Sequence, residues 1–143
     1  MKISPADERL LSVLREDARA STAQIARRLG LSRTTVQSRI DRLEQQGVIA
    51  GYTVRTHEDY EQGQVRAHVL ITLAPRQSAT IEAALRKIPE LRVLHSVSGP
   101  FDLIAIVAAA SIVELDRLID HIGQLEGVER TTSAIVLSTR IER

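Results

Sequence analysis

Residues 21–44 read S-T-A-Q-I-A-R-R-L-G-L-S-R-T-T-V-Q-S-R-I-D-R-L-E, and they decide the first half of the fold. Ser21 opens a helix, and Gln24 three residues later completes a capping-box pattern, in which each side chain reaches the other's backbone N–H. Ile25, Ala26 and Leu29 form the inner stripe, and Gly30 is a stop that can adopt positive φ. Ser32 caps a further helix with Val36, Ile40 and Leu43 at i, i+4 and i+7, and Gly47 ends it. Two short helices joined across Gly30-Leu31 have helix-turn-helix spacing. Ala26 is small enough for close crossing, Gly30 makes the turn, and the second helix can enter a major groove.

Upstream, Ser4-Pro5 gives an N-cap with proline at the first helical position, and Asp7 suits the first turn. Leu10, Leu11 and Leu14 mark the apolar face of this helix, which is expected to end near Ala18. Three helices therefore fill residues 1–50. Charge is concentrated there: residues 1–50 carry nine Lys/Arg against six Asp/Glu, whereas residues 51–143 carry ten against twelve. Between Arg27 and Arg42 stand five arginines and one acid, Asp41. The basic half is where a polyanion would bind. Ser32, Arg33, Thr34, Thr35, Gln37, Ser38, Arg39 and Arg42 are the candidates for contact with double-stranded DNA. Arginine pairs with guanine O6/N7 and Gln with adenine, while Ser and Thr suit phosphates or bases. The competing reading is a plain three-helix bundle whose arginines form a solvated face.

Downstream the period changes. Val48 to Val54 reads as a short turn feeding an extended segment, and residues 51–64, polar from His57 to Gln64, form the expected linker. Ala67, Val69, Ile71 and Leu73 alternate along a strand closed by Pro75. Ile81, Leu85 and Ile88 mark a short helix stopping before Pro89. Leu91–Val97 and Leu103–Ala109 are strands separated by a Gly99-Pro100 turn. Ser111 with Glu114 caps a helix whose Leu115, Leu118, Ile119 and Ile122 face inward, Gly127 breaks it, and Ser133–Thr139 is the expected last strand. The order β-α-β-β-α-β over residues 65–143 is the ferredoxin-like plan, and the whole chain is of the α+β class. Such a sheet has helices on one face only, yet Leu103-Ile104-Ala105-Ile106-Val107 does not alternate. A second copy of the same sheet is the expected cover, with a monomer of unusually apolar central strand as the alternative.

Here the chain resembles the Lrp/AsnC family of transcription regulators. The first half carries the resemblance through D-E-R-L-L-S-V-L, S-T-A-Q-I-A-R-R-L-G-L-S, V-Q-S-R-I-D-R-L-E and G-V-I-A-G-Y, and the second through V-S-G-P-F-D-L-I and G-V-E-R-T-T-S-A-I-V-L. It implies a winged helix-turn-helix followed by an effector and oligomerisation domain. It also implies dimers that assemble into tetramers, octamers or larger, and a response to a small molecule, commonly an amino acid. The family's effector cleft lies where dimers meet; here Ser98, Gly99, Pro100, Phe101 and Asp102 match one wall, and Ser133, Ala134, Ile135 and Val136 the other. A zwitterion needs backbone N–H groups for its carboxylate and an acceptor for its ammonium, which a Gly-containing turn beside Asp102 can supply. Two departures bear on this. Pro100 stands where an acidic residue is common and removes one N–H, and Ala134 stands where a larger residue can occur. The plainer reading makes Gly99-Pro100 a hairpin turn and Asp102 its closing side chain.

Other functions find little support. Three aromatics, Tyr52, Tyr60 and Phe101, are too few for base-stacking platforms. No cysteine is present for disulfides, thiolate metal sites or nucleophilic catalysis. His57, His68, His95 and His121 lack ligand spacing, so no metal is expected. No G-x-S-x-G serine or phosphate-binding glycine loop appears, so neither catalysis nor a cofactor is expected. The longest apolar run, Leu103–Ala110, is less than half a membrane span, and no apolar leader follows Met1; a soluble cytoplasmic protein without membrane contact is expected. An architectural DNA-packaging protein and a small ferredoxin-like metabolite-binding domain or enzyme are the alternatives.

Overall fold

The computed structural model describes residues 2–57, 60 and 63–142, so Glu58, Asp59, Glu61 and Gln62 of the expected linker lie outside the described residues. Two compact units are formed, Met1–Arg55 and Thr56–Arg143.

The first unit holds α1 (Pro5–Glu16), α2 (Thr22–Leu29) and α3 (Arg33–Gln45). Each begins at the expected serine: the Oγ of Ser4, Ser21 and Ser32 accepts the N–H of Asp7, Gln24 and Thr35 at 3.1, 3.2 and 3.1 Å. Gly30 (φ 67°) ends α2 in the left-handed conformation, and Leu31 N–H returns to the Ala26 carbonyl at 2.9 Å. α1 stops at Glu16, two residues short of the expected end. Asp17 leaves helical geometry, and its side chain accepts the Arg19 N–H at 2.9 Å, a local bond that competes with another helical turn. Leu10, Val13, Leu14, Ile25, Ala26, Val36 and Leu43 form the core. No strand occurs among the described residues of this unit.

The second unit runs β1 (Val65–Leu73), α4 (Ser78–Leu85), β2 (Leu91–Ser96), β3 (Leu103–Ala109), α5 (Ile112–Gly123) and β4 (Val128–Ile135). The antiparallel sheet has the order β2-β3-β1-β4, the split βαβ arrangement. Ala67, Val69 and Ile71 of β1 and Leu103, Ala105 and Val107 of β3 pack under Ile81, Leu85, Leu115, Leu118 and Ile122 from the two helices. The other face carries Leu70, Ile104 and Ile106, half-buried, beside exposed His68 and His95. The apolar second face of β3 is thus uncovered within one chain.

Two expectations need correction. α4 ends at Leu85, before Ile88; Ile88 reaches the same core from the following turn, where its N–H bonds the Leu85 carbonyl at 3.0 Å. The last strand is Val128–Ile135 rather than Ser133–Thr139. It starts directly after Gly127 (φ 95°), whose carbonyl accepts the Ala74 N–H at 2.8 Å, and pairs with β1 from Leu73↔Val128 to Ala67↔Ile135, with a register shift between Thr72 and Leu73. As an edge strand it is mostly exposed, so Glu129–Ser133 lacks the apolar alternation that betrays buried strands.

Gly127 allows the turn that sets this register. A Cβ there would lie 2.8 Å from Gln77 Cβ, whereas one at Gly99 (φ 106°) would meet nothing within 4 Å. Gly127→Ala should therefore cost about 2–3 kcal/mol and Gly99→Ala about 1 kcal/mol, measured by urea unfolding. Equal losses would show that the clash with Gln77 is relieved at no cost.

Candidate DNA interface and effector segments

Helix α3 distributes its side chains by the 100° step per residue. Val36, Ile40 and Leu43 face the core, so Thr34, Ser38, Asp41 and Gln45 point the opposite way. Thr34, Gln37, Ser38, Asp41, Arg42 and Gln45 are all exposed and form a polar surface along this outward stripe. Ser32 and Thr35 are partly engaged with each other, their hydroxyls 2.8 Å apart, and Gln37 Nε2 donates to Asp41 Oδ1 at 2.7 Å. Arg33 is exposed at the head of the helix and shares a shallow cleft of about 290 Å³ with Ala23, Ala26, Arg27, Leu31 and Ser32. Arg27 was not singled out from sequence. Its five-residue offset from the Ser32 cap gave no helical-face signal, because a turn intervenes.

Arg39 lies on another side of α3, and Arg42 reaches Asp7 from the margin of the stripe. Six residues from Arg33 place Arg39 about 120° around the helix from it. Arg42 Nη2 donates to Asp7 Oδ1 at 2.7 Å, with the Asp7 side chain 7% exposed and that of Arg42 49%. The Nη1 of Arg39 is buried and makes no hydrogen bond. The Ser4 hydroxyl holds the Asp7 carboxyl below its usual pKa, against the opposing effect of burial, with the Ser4 backbone, Arg42 and Arg39 assisting. On the other side, Tyr52 donates to Glu44 at 2.7 Å, and that bond raises the phenol's pKa, with burial adding to it. Arg28 pairs with Glu16 at 2.7 Å in the open, a contact worth about 0–1 kcal/mol.

In the second unit the two effector segments do not meet within one chain. Asp102 N–H donates to the Ile71 carbonyl at 2.9 Å, and Asp102 Oδ2 accepts the Leu73 N–H at 2.7 Å. The Ser98–Asp102 turn therefore sits at the C-terminal end of β1. Ser133, Ala134 and Ile135 pair with Val69, His68 and Ala67, and Val136 N–H bonds the Arg66 carbonyl at 2.8 Å. They lie on the other side of β1 and roughly 15 Å back along it. Ile135 instead borders an apolar cleft of about 220 Å³ with Ile112, Val113, Leu115, Asp116 and Ile119. The turn is closed by backbone, Val97 N–H donating to the Asp102 carbonyl at 3.1 Å, whereas the Asp102 side chain ties the turn to β1.

Both units match known families. Residues 3–50 fit the model of a winged helix-turn-helix DNA-binding domain, and residues 66–143 that of the Lrp/AsnC ligand binding domain. The chain belongs to the Lrp/AsnC family. It is similar to the HTH-type transcriptional regulator LrpA of Mycobacterium tuberculosis, 37% identical over 93% of this chain and 89% of the relative. The regulator LysM of Saccharolobus solfataricus is 32% identical over 96% of this chain and 95% of its own. Among solved structures, the feast or famine regulatory protein of M. tuberculosis complexed with L-methionine superimposes with a TM-score of 0.87 at 35% identity, covering 99% and 96% of the two chains. This Lrp/AsnC protein is a DNA-binding transcriptional regulator with a ligand-binding domain. Among the described residues, no helix is long and apolar enough to cross a membrane, and no cluster of three or more His or carboxylate groups forms a metal site.

The bond from the Asp102 side chain to β1 has a measurable consequence. Asp102→Ala leaves the Leu73 N–H without this acceptor and should cost about 1 kcal/mol in thermal unfolding, while Asp102→Asn, which keeps an oxygen, should cost less. Equal stability of wild type and the alanine variant would mean that water replaces the carboxylate without loss.

Proposed function

We propose that this regulator reads DNA through α3 as a homo-oligomer and senses a small amino acid or related metabolite, in the cytoplasm and without enzymatic turnover. The observation that carries the DNA reading is the exposed polar stripe of α3 within a basic stretch, flanked by Arg33 and Arg27. Of the residues expected to meet DNA, Ser32, Arg33, Thr34, Thr35, Gln37 and Ser38 supply the contacts, with Arg33 the best placed for a base edge. Arg42 is engaged by Asp7, and Arg39 has a buried Nη1. The effector cleft is built between copies: the Ser98–Asp102 turn of one chain faces Ser133–Val136 of another. The separation of the two segments along β1 supports this, because one chain cannot offer both walls to a molecule the size of an amino acid. The methionine complex of the M. tuberculosis relative supports the ligand class. The uncovered face bearing Ile104, Ile106 and Leu70 supports pairing of two sheets, which removes that apolar surface from water.

Arg33→Ala should weaken binding to a preferred duplex by about 1–3 kcal/mol if the guanidinium is bidentate to guanine. Fluorescence anisotropy on a duplex selected from a randomised pool measures this, and unchanged affinity in a folded variant removes α3 as the reader.

Residues 62–143 alone should sediment as a dimer or larger at micromolar concentration, and at least one L-amino acid should raise the melting temperature of that fragment. A folded monomer would overturn the sheet-to-sheet pairing. Failure of every amino acid would redirect the search to other metabolites.

A further inference from the structure

The Asp7 carboxylate is the buried charged side chain among the described residues, and it serves a helix other than its own. Oδ2 accepts the Ser4 hydroxyl at 2.7 Å and lies 3.4 Å from the Ser4 N–H, while Oδ1 accepts from Arg42 of α3 at 2.7 Å. Capping α1 needs only the Ser4 contacts. The bond to Arg42 spans 35 residues and ties the start of α1 to the last turn of α3. Arg39, one turn earlier on α3, is near enough to stabilise the same carboxylate, and its Nη1 is buried without a hydrogen bond. Arg42 thus engages this carboxylate on the flank away from Arg33, and Arg39 adds a weaker favourable charge.

We propose that Asp7 is a positioning residue for DNA reading: its carboxylate holds Arg42, so that α3 is fixed for base-edge contact and this guanidinium is withheld from indiscriminate phosphate binding. This rests on the reading of α3 as the helix that meets DNA. A free guanidinium contributes to any duplex equally, because phosphates carry no sequence information, whereas a fixed helix orientation helps only where base edges match. Asp7 therefore acts on the ratio between preferred and random DNA, through Arg42, without touching the nucleic acid.

The experiment compares full-length wild type, Asp7→Asn, Arg42→Gln and Arg33→Ala on two duplexes of equal length. One is selected from a randomised pool by the wild-type protein and the other is its shuffled counterpart; both are titrated over a range of salt. Asp7→Asn keeps a hydrogen-bonding oxygen for Ser4 but removes the charge that holds Arg42. It should bind the shuffled duplex several-fold more tightly, steepen the dependence of log K on log salt by about one, for the one released cation, and lower the preference for the selected duplex at least tenfold. A simple loss of fold would weaken both duplexes and flatten the slope. An unchanged preference and slope overturns the proposal.

If Asp7→Asn is unfolded at the assay temperature, Arg42→Gln carries the test with the α1 cap intact. A reduced preference with an unchanged slope supports Arg42 as a held cation. A slope flattened by about one makes Arg42 an ordinary phosphate contact and overturns the proposal, as does an unchanged preference. Arg33→Ala separates the two levels: no effect there removes α3 as the reader, whereas a normal loss there beside a silent Asp7→Asn removes only the positioning role.

Discussion

The pairing of β1 with both of its neighbours governs what the second unit can do. β1 is hydrogen-bonded to β3 from Val65↔Ala109 to Ile71↔Leu103 and to β4 from Ala67↔Ile135 to Leu73↔Val128. Its register cannot slip by one residue, because Ala67, Val69 and Ile71 would leave the core and His68 and Arg66 would enter it. With β1 fixed, the Ser98–Asp102 turn must lie at one end of the sheet and Ser133–Val136 toward the other. Asp102 reinforces this by bonding both Ile71 and Leu73. The division of the proposed effector site between copies is thus a consequence of strand register, not of loop conformation.

In the first unit the corresponding constraint is the burial of Val36 and Leu43, which selects the stripe of α3 that faces outward. Burial alone leaves the helix free to rock about its contact line. The Asp7–Arg42 bond on one flank and the Tyr52–Glu44 bond on the other oppose that motion from two sides. Both link α3 to segments outside it, so the orientation of the reading helix depends on polar contacts at its margins as well as on apolar packing.

Much of this was legible in the chain. Ser4, Ser21, Ser32 and Ser111 cap the helices they were expected to cap, because capping is a local matter of three or four residues. The βαββαβ order followed from alternation in β1 and apolar runs in β3. The last strand was misplaced because β4 is an exposed edge, and hydropathy drew attention to Ala134–Leu137, of which only Ala134 and Ile135 pair with β1, instead of the polar residues Arg130–Ser133 before them. The Asp7–Arg42 contact left no trace in any pattern, since its partners meet only after two helices have packed. Asp102 was recognisable as a polar residue after a turn, but its partner Leu73 lies 29 residues away. Sequence thus revealed what is decided within a turn or two of chain, and missed what tertiary packing brings together.

A site shared between copies also bears on how a ligand would reach DNA. Within one chain no ligand need alter the fold, because the walls of the proposed cleft are separate, firmly hydrogen-bonded segments. What a ligand bound across them changes is the free energy of holding two copies in one geometry. A dimeric reader binds DNA best when its two α3 helices are spaced to meet successive major grooves. Any ligand that favours one assembly over another shifts that spacing, and operator DNA must then favour or disfavour the ligand by the same factor. Coupling of this kind needs no pathway of contacts through the linker; it needs only that assembly be sensitive to both partners. In the proposed assembly the open sheet face and the divided cleft would give the second unit that sensitivity, while the capped and cross-tied helices of the first would keep the proposed reading surface constant as assemblies change.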